Sequence, residues 1–135
     1  MSTGIYFIQA RELRKYTGAS VHSMYYKEPY KSFIEAQGGR YAFPIGIVPL
    51  LFGLFPEQLA EIFDFSGMLE KFGYDRDRYT QLVAKEMEKF FEPFEKRIEE
   101  LFEKGEIKRI QYDSFKKRLE EMKRWLASFR GEKKK

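Results

Sequence analysis

Between Tyr79 and Phe102 the chain repeats large apolar side chains at the spacing of one helix face, and no other feature narrows the possible folds so far. Tyr79, Leu82, Val83, Met87, Phe90, Phe91, Phe94, Ile98, Leu101 and Phe102 recur at steps of three, one and four. That pattern lays a single apolar stripe along about eight helical turns spanning residues 75–104. Asp75 is placed to cap the start and Gly105 to end it in a left-handed conformation. Pro93 lies inside and removes one backbone donor, so a kink one turn earlier rather than a break is expected, because the stripe continues in register beyond it. From Asp113 a second run, Phe115, Leu119, Met122, Leu126 and Phe129, alternates steps of four and three, the spacing of a heptad seam. The connection at 106–112 is short enough to turn the second helix back against the first.

The first 42 residues are composed differently. They hold six of the nine tyrosines, six Lys/Arg against three Glu, five glycines or prolines, and few large aliphatics. Ile5, Ile8 and Leu13, with Arg11, Arg14 and Lys15 between them, predict a short amphipathic helix ending near Thr17-Gly18. Ser20 then caps a helical turn through Tyr26, Pro29 opens another running to about Gln37, and Gly38-Gly39 breaks it. Residues 43–55 (FPIGIVPLLFGLF) form the most apolar stretch, thirteen residues interrupted by Gly46, Pro49 and Gly53. A bilayer span needs about 20 residues, so this reads as a buried, irregular core segment or, alternatively, a membrane-surface or subunit-docking segment. Pro56 starts a helix carrying Leu59, Ile62 and Phe63, and a second short piece runs to Phe72 before Gly73 stops it. The expected fold class is therefore all-α. An extended helical N-terminal arm, residues 1–42, precedes an antiparallel helical bundle, 43–135, that contains the apolar segment 43–55 and the hairpin 75–129.

At 135 residues the chain falls in the single-domain range, and fourteen Phe supply bulk for a small helical core. Cysteine is absent, which excludes disulfides and thiolate zinc sites. Asparagine is absent too, and 34% of residues are charged, a composition expected of a protein that works hot. Residues 1–42 carry a net charge of +3, 43–74 carry −3, 75–104 carry −2, and 105–135 carry +6. Positive ends thus flank an acidic middle, and a polyanion would engage the ends. The run at 132–135 reads as a solvating tail. Residues 1–10 lack a basic start followed by a sustained apolar run, so the expectation is a chain made and used inside a cell.

Catalytic signatures are missing. The one histidine, His22, stands beside Ser20 and Ser23, but a Ser/His pair two residues apart has neither an orienting third group nor an oxyanion hole. No His/Cys/Asp spacing fits a transition-metal site, no phosphate-loop spacing surrounds Gly38 and Gly39, and no cofactor is implied. The glutamates from Glu86 to Glu100 are read as a solvated helix face paired with neighbouring lysines. Enzyme activity is not expected. The arm is the functional candidate: Arg11, Arg14, Lys15, Lys27, Lys31 and Arg40 are interleaved with Tyr16, Tyr25, Tyr26, Tyr30 and Tyr41. Such a mixture reaches phosphates while phenol rings lie against sugars or donate to phosphate oxygen. Without a recognition helix it points to backbone binding rather than base readout. Protein–protein wrapping by the arm, or an ordinary mixed surface diluted by Glu12, Glu28 and Glu35, are the other readings.

Two resemblances accompany these residues. Residues 101–119 (LFEKGEIKRIQYDSFKKRL) look like the helical hairpins of short bacterial and archaeal oligomerisation modules, in which a Gly-x-Ile turn separates two helices, although their acidic turn is missing here. The whole layout, a Cys-free chain of thermophilic composition with a basic arm and a C-terminal helical bundle, resembles the major capsid proteins of filamentous and rod-shaped viruses of hyperthermophilic archaea. That resemblance is one of layout and carries no diagnostic motif. It implies a nucleocapsid protein that coats double-stranded DNA, held in A-form, without regard to sequence in a helical filament, with arms wrapping the duplex. It also implies a virion location after synthesis in the host cytoplasm and self-assembly, or pairing with a related second capsid protein as a heterodimer. Residues 11–40 would then line the DNA channel, the bundle would form the outer wall, and 43–55 would contact subunits or, in enveloped members, lipid. A basic DNA-binding regulator or chromatin protein of a thermophilic archaeon, and a helical scaffold binding only protein, are the competing classes.

Overall fold

The C-terminal hairpin follows from local signals. In a computed structural model, which describes residues 6–18, 20–62, 70 and 73–133, the Asp75 carboxylate accepts from the Asp77 and Arg78 amides at 3.0 and 3.3 Å and opens helix α6, Arg76–Lys89. Pro93 has no N–H to bond the Lys89 carbonyl, and the helix breaks at Phe90, three residues before it. Helix α7, Phe91–Glu103, resumes when the Phe94 amide donates to the Phe90 carbonyl. It ends in a Schellman arrangement: Gly105 takes φ 73, its amide donates to Phe102, and the Glu106 amide reaches back to Leu101. The return helix α8, Arg109–Lys133, starts four residues before Asp113, because the Gln111 side chain accepts from the Lys108 amide and so caps the end earlier. Phe94, Ile98 and Leu101 of α7 and Phe115, Leu119, Met122 and Leu126 of α8 are all buried, and Phe94 meets Phe115 edge to face.

The apolar segment lies under this hairpin. Residues 42–51 are all buried, and within them helix α4, Val48–Phe52, follows a turn at Gly46. A Cβ at Gly46 would overlap the Glu86 carbonyl, so glycine is what lets the two backbones touch. From α8, Arg118 donates to the Leu50 and Leu51 carbonyls at 3.1 and 2.8 Å, satisfying acceptors that the end of α4 leaves open. Helix α5, Pro56–Ile62, packs along α6, and Arg76 donates to the Ala60 carbonyl at 2.6 Å. The short piece expected up to Phe72 lies outside the described residues, as does the end of the lysine tail. No helix among the described residues is long and apolar enough to cross a membrane.

The all-α expectation is overturned in the N-terminal third. Strands β1, Phe7–Gln9, β2, Glu35–Gln37, and β3, Arg40–Pro44, form an antiparallel sheet in the order β1-β3-β2. Ile8 pairs with Phe43, and Ala36 with Tyr41. Gly38 and Gly39, at φ 58 and 81, form a two-residue hairpin loop of the type that needs positive φ at both positions, where a helix break was expected. Between β1 and β2 run three short helices, α1, Ala10–Thr17, α2, Val21–Tyr26, and α3, Tyr30–Phe33. Nor is the segment an extended arm. Ile8, Ala10, Leu13, Met24, Ala42 and Phe43 are all nearly inaccessible, and all but Ala42 belong to the same buried cluster as Tyr79, Met87 and Leu119. Few aliphatics suffice here, because the sheet and short helices lean on a core whose bulk comes from residues 43–51 and the hairpin.

Candidate nucleic-acid interface

Helix α1 sorts its residues by face. Ala10 and Leu13 point into the core, which leaves Arg11, Arg14 and Lys15 exposed at steps of three and four. Arg11 Nε donates to Gln9 Oε1 at 3.0 Å and Lys15 Nζ lies 3.4 Å from Glu12, while Arg14 has no carboxylate partner among the described residues. Tyr16 on the same helix is 57% exposed.

Ser20 starts α2 by accepting from the Ser23 amide at 3.0 Å, and its hydroxyl also meets the Ser23 hydroxyl. The helix spacing of four then brings the His22 ring 4.7 Å from that of Tyr26. Tyr26 lies 6.3 Å from Tyr25, and Tyr25 lies 4.4 Å from Tyr41 on β3. Four rings thus run in succession from α2 to the sheet. Tyr26 also borders a groove of about 420 Å³ with Lys27, Glu28, Lys31, Glu106 and Gln111. Glu28 is occupied there, accepting from the Ser32 hydroxyl at 2.6 Å and facing Arg97 at 3.9 Å.

Tyr30 is placed differently from the other candidates. Its ring packs 5.3 Å from Phe52 and is half-buried beside Arg118. Burial pushes its hydroxyl above the ordinary phenol pKa, and the Arg118 guanidinium draws it partway back. Arg40 and Tyr41 begin β3, where successive side chains point to opposite faces, so Tyr41 meets Tyr25 while Arg40 stands exposed on the other face. The candidates therefore form a basic stripe on α1, a ring strip and groove around α2, the isolated Arg40, and one tyrosine given over to packing. His22 belongs with the rings, a placement that its step of four from Tyr26 signals in the sequence.

The hairpin handles charge by pairing. Lys116 donates to Glu95 and Glu99 at 2.6 and 2.8 Å, and Tyr112 donates to Glu99 at 2.7 Å. Arg130 grips both oxygens of Glu88 at 2.6 and 2.8 Å, and Lys89 meets Glu86 at 2.8 Å. The Lys116 hydrogen bond holds Glu99 below the usual carboxylate range, and Arg130 does the same to Glu88. Arg14, Lys27, Lys31 and Arg40 have no such partner among the described residues; on the hairpin the same is true of Lys85, Lys96, Lys104, Lys108, Lys117 and Arg124. No group of three metal-ligating side chains occurs among the described residues. No family model, curated protein or solved structure matches the chain.

Proposed function

We propose that this chain is a non-enzymatic structural protein that coats double-stranded DNA without reading its sequence, in a filament built from copies of itself or of a related chain. It would be made in the host cytoplasm and reside in the virion. What carries the reading is the N-terminal unit's set of exposed cations without carboxylate partners, Arg14, Lys27, Lys31 and Arg40, interleaved with exposed Tyr16, Tyr26 and Tyr41. A coat must accept every sequence, so its affinity has to come from many screened phosphate contacts repeated along the polymer. The contact in this reading is the surface of a folded unit, not a wrapping arm, which leaves less ordering entropy to be lost on binding.

The test is binding of two unrelated duplexes across a salt series, read by fluorescence anisotropy. Replacing Arg14, Lys27, Lys31 and Arg40 together with Ala is expected to weaken both duplexes alike and to flatten the salt slope by up to about 4. Negative-stain images of protein with long DNA should show helical filaments. Unchanged slopes would remove this face from the DNA contact, and discrete dimers with strong preference for one duplex would favour a regulator.

A further inference from the structure

The ring strip beside the groove offers stacking surfaces that the covered base faces of a duplex do not reach. We infer that His22, Tyr26, Tyr25 and Tyr41, with Lys27 and Lys31, bind single-stranded nucleic acid, unpaired bases stacking on Tyr26 and Tyr41 while the two lysines take the phosphates. The inference rests on the polyanion reading above and adds the form of nucleic acid that this part of the face accepts.

Three observations carry it. Tyr26 is 65% exposed and Tyr41 45%, so both rings leave much of their surface in water and contribute little to the core. Neighbouring rings are tilted by 46° between His22 and Tyr26, 63° between Tyr25 and Tyr26 and 47° between Tyr25 and Tyr41, so adjacent rings of the strip do not lie parallel. A flexible single strand can turn successive bases onto such faces. In a duplex the base faces are covered by their neighbours, only edges and backbone are presented, and the rod is stiff on this length scale. Finally, Tyr26 is shared between the ring strip and the wall of the groove that holds Lys27 and Lys31, which sets cations one step from the stacking surface. Glu28 is already engaged by Ser32 and Arg97, which leaves Glu106, without a partner among the described residues, as the opposing charge in the groove. The two lysines favour a polyanion over a neutral glycan, the other polymer that exposed tyrosines receive.

The experiment compares a fluorescein-labelled oligothymidylate of about 12 nucleotides with a duplex of the same length, by anisotropy across a salt series. Tyr26→Ala is expected to weaken the oligothymidylate at least about fivefold, a larger factor than it costs the duplex, with both salt slopes unchanged. Tyr41→Ala should act in the same direction, and Tyr26→Phe should restore parental affinity, because stacking needs the ring and not the hydroxyl. Removing Lys27 and Lys31 lowers both affinities and both slopes, whereas Glu106→Gln tightens the oligothymidylate. Parental affinity in Tyr26→Ala, a Phe variant as weak as the Ala variant, or displacement of the oligothymidylate by a neutral maltooligosaccharide would each overturn the inference. The coat reading fails on a different result, duplex binding that ignores the loss of Arg14, Lys27, Lys31 and Arg40.

Discussion

Gly46→Ala is expected to be the most damaging small substitution at a described glycine. The added methyl would fall on the Glu86 carbonyl of α6 and lie 2.9 Å from the Met87 nitrogen. All of these are backbone atoms within a helix, so no rotamer change relieves the overlap, and the turn between β3 and α4 has to retreat. Introducing a methyl into a close-packed site costs about 1–3 kcal/mol, and a rigid neighbour puts the cost at the top of that range. The retreat also pulls Ile45, Ile47 and Val48, each no more than 1% exposed, away from their partners. A gap of about 0.5–1 Å forfeits a quarter to a half of each contact's dispersion energy. Together these give a loss of about 3 kcal/mol or more, a large share of the roughly 5–15 kcal/mol that holds a domain folded. Urea denaturation followed by far-ultraviolet circular dichroism should show the midpoint falling by about 1–2 M. Gly105→Ala is the control, since Gly105 sits at φ 73 with nothing near its missing Cβ. It carries only the left-handed strain of about 1–2 kcal/mol. If Gly46→Ala costs no more than Gly105→Ala, the close approach of the two backbones is refuted.

Arg118→Met would strip the donor from the Leu50 and Leu51 carbonyls while keeping the aliphatic stem, and should cost about 1.5–3 kcal/mol in the same urea assay. Acid should destabilise the fold through Glu88 and Glu99, whose folded pKa values are held below their unfolded ones by hydrogen bonds from Arg130 and Lys116. Such groups stabilise the fold above the unfolded carboxylate pKa of about 4.3, and that contribution is lost as pH falls through the folded value. Both pairs are half exposed, so each contributes less than about 1 kcal/mol. Thermal melts of Lys116→Met from neutral to acid pH should show a shallower acid loss than the parent, and an identical loss would count against the Glu99 pairing. The Lys116 amine is raised by Glu95 and Glu99, so its own contribution is complete below about pH 10.4 and disappears as pH rises through the folded value.

Which parts of the fold were legible follows from how local their signals are. Asp75, Pro93, Gly105 and the stripe between them act within one or two helical turns; the cap and terminus appear where Asp75 and Gly105 put them, whereas Pro93, expected to kink one continuous helix, divides it in two at Phe90. The strands did not announce themselves. At three to five residues they are too short to display a period of two, and β1 hides inside the apparent helical spacing of Ile8 and Leu13. Gly38-Gly39 admits two readings, a helix stop or a hairpin loop, and the choice is made by pairing with β1, thirty residues away in sequence. Tyr25 and Tyr41 meet only because that hairpin forms, so the ring strip was legible only at its helical end, His22 and Tyr26.

Charge counted by segment also misplaces the available positive surface, and the reason is physical. The segment 105–135 is the most basic in the chain at +6, yet many of its cations are already committed. Lys116 reaches Glu95, 21 residues back, Arg130 reaches Glu88, 42 residues back, and Arg118 is half-buried against α4. Folding α8 against α6 and α7 thus neutralises basic charge with the acidic excess of 75–104, leaving Lys108, Lys117 and Arg124 on its outer side. The N-terminal unit has only three carboxylates to spend this way, and two of them, Glu12 and Glu28, face Lys15 and Arg97. Arg14, Lys27, Lys31 and Arg40 therefore keep no carboxylate partner among the described residues, although the segment's formal charge is only +3.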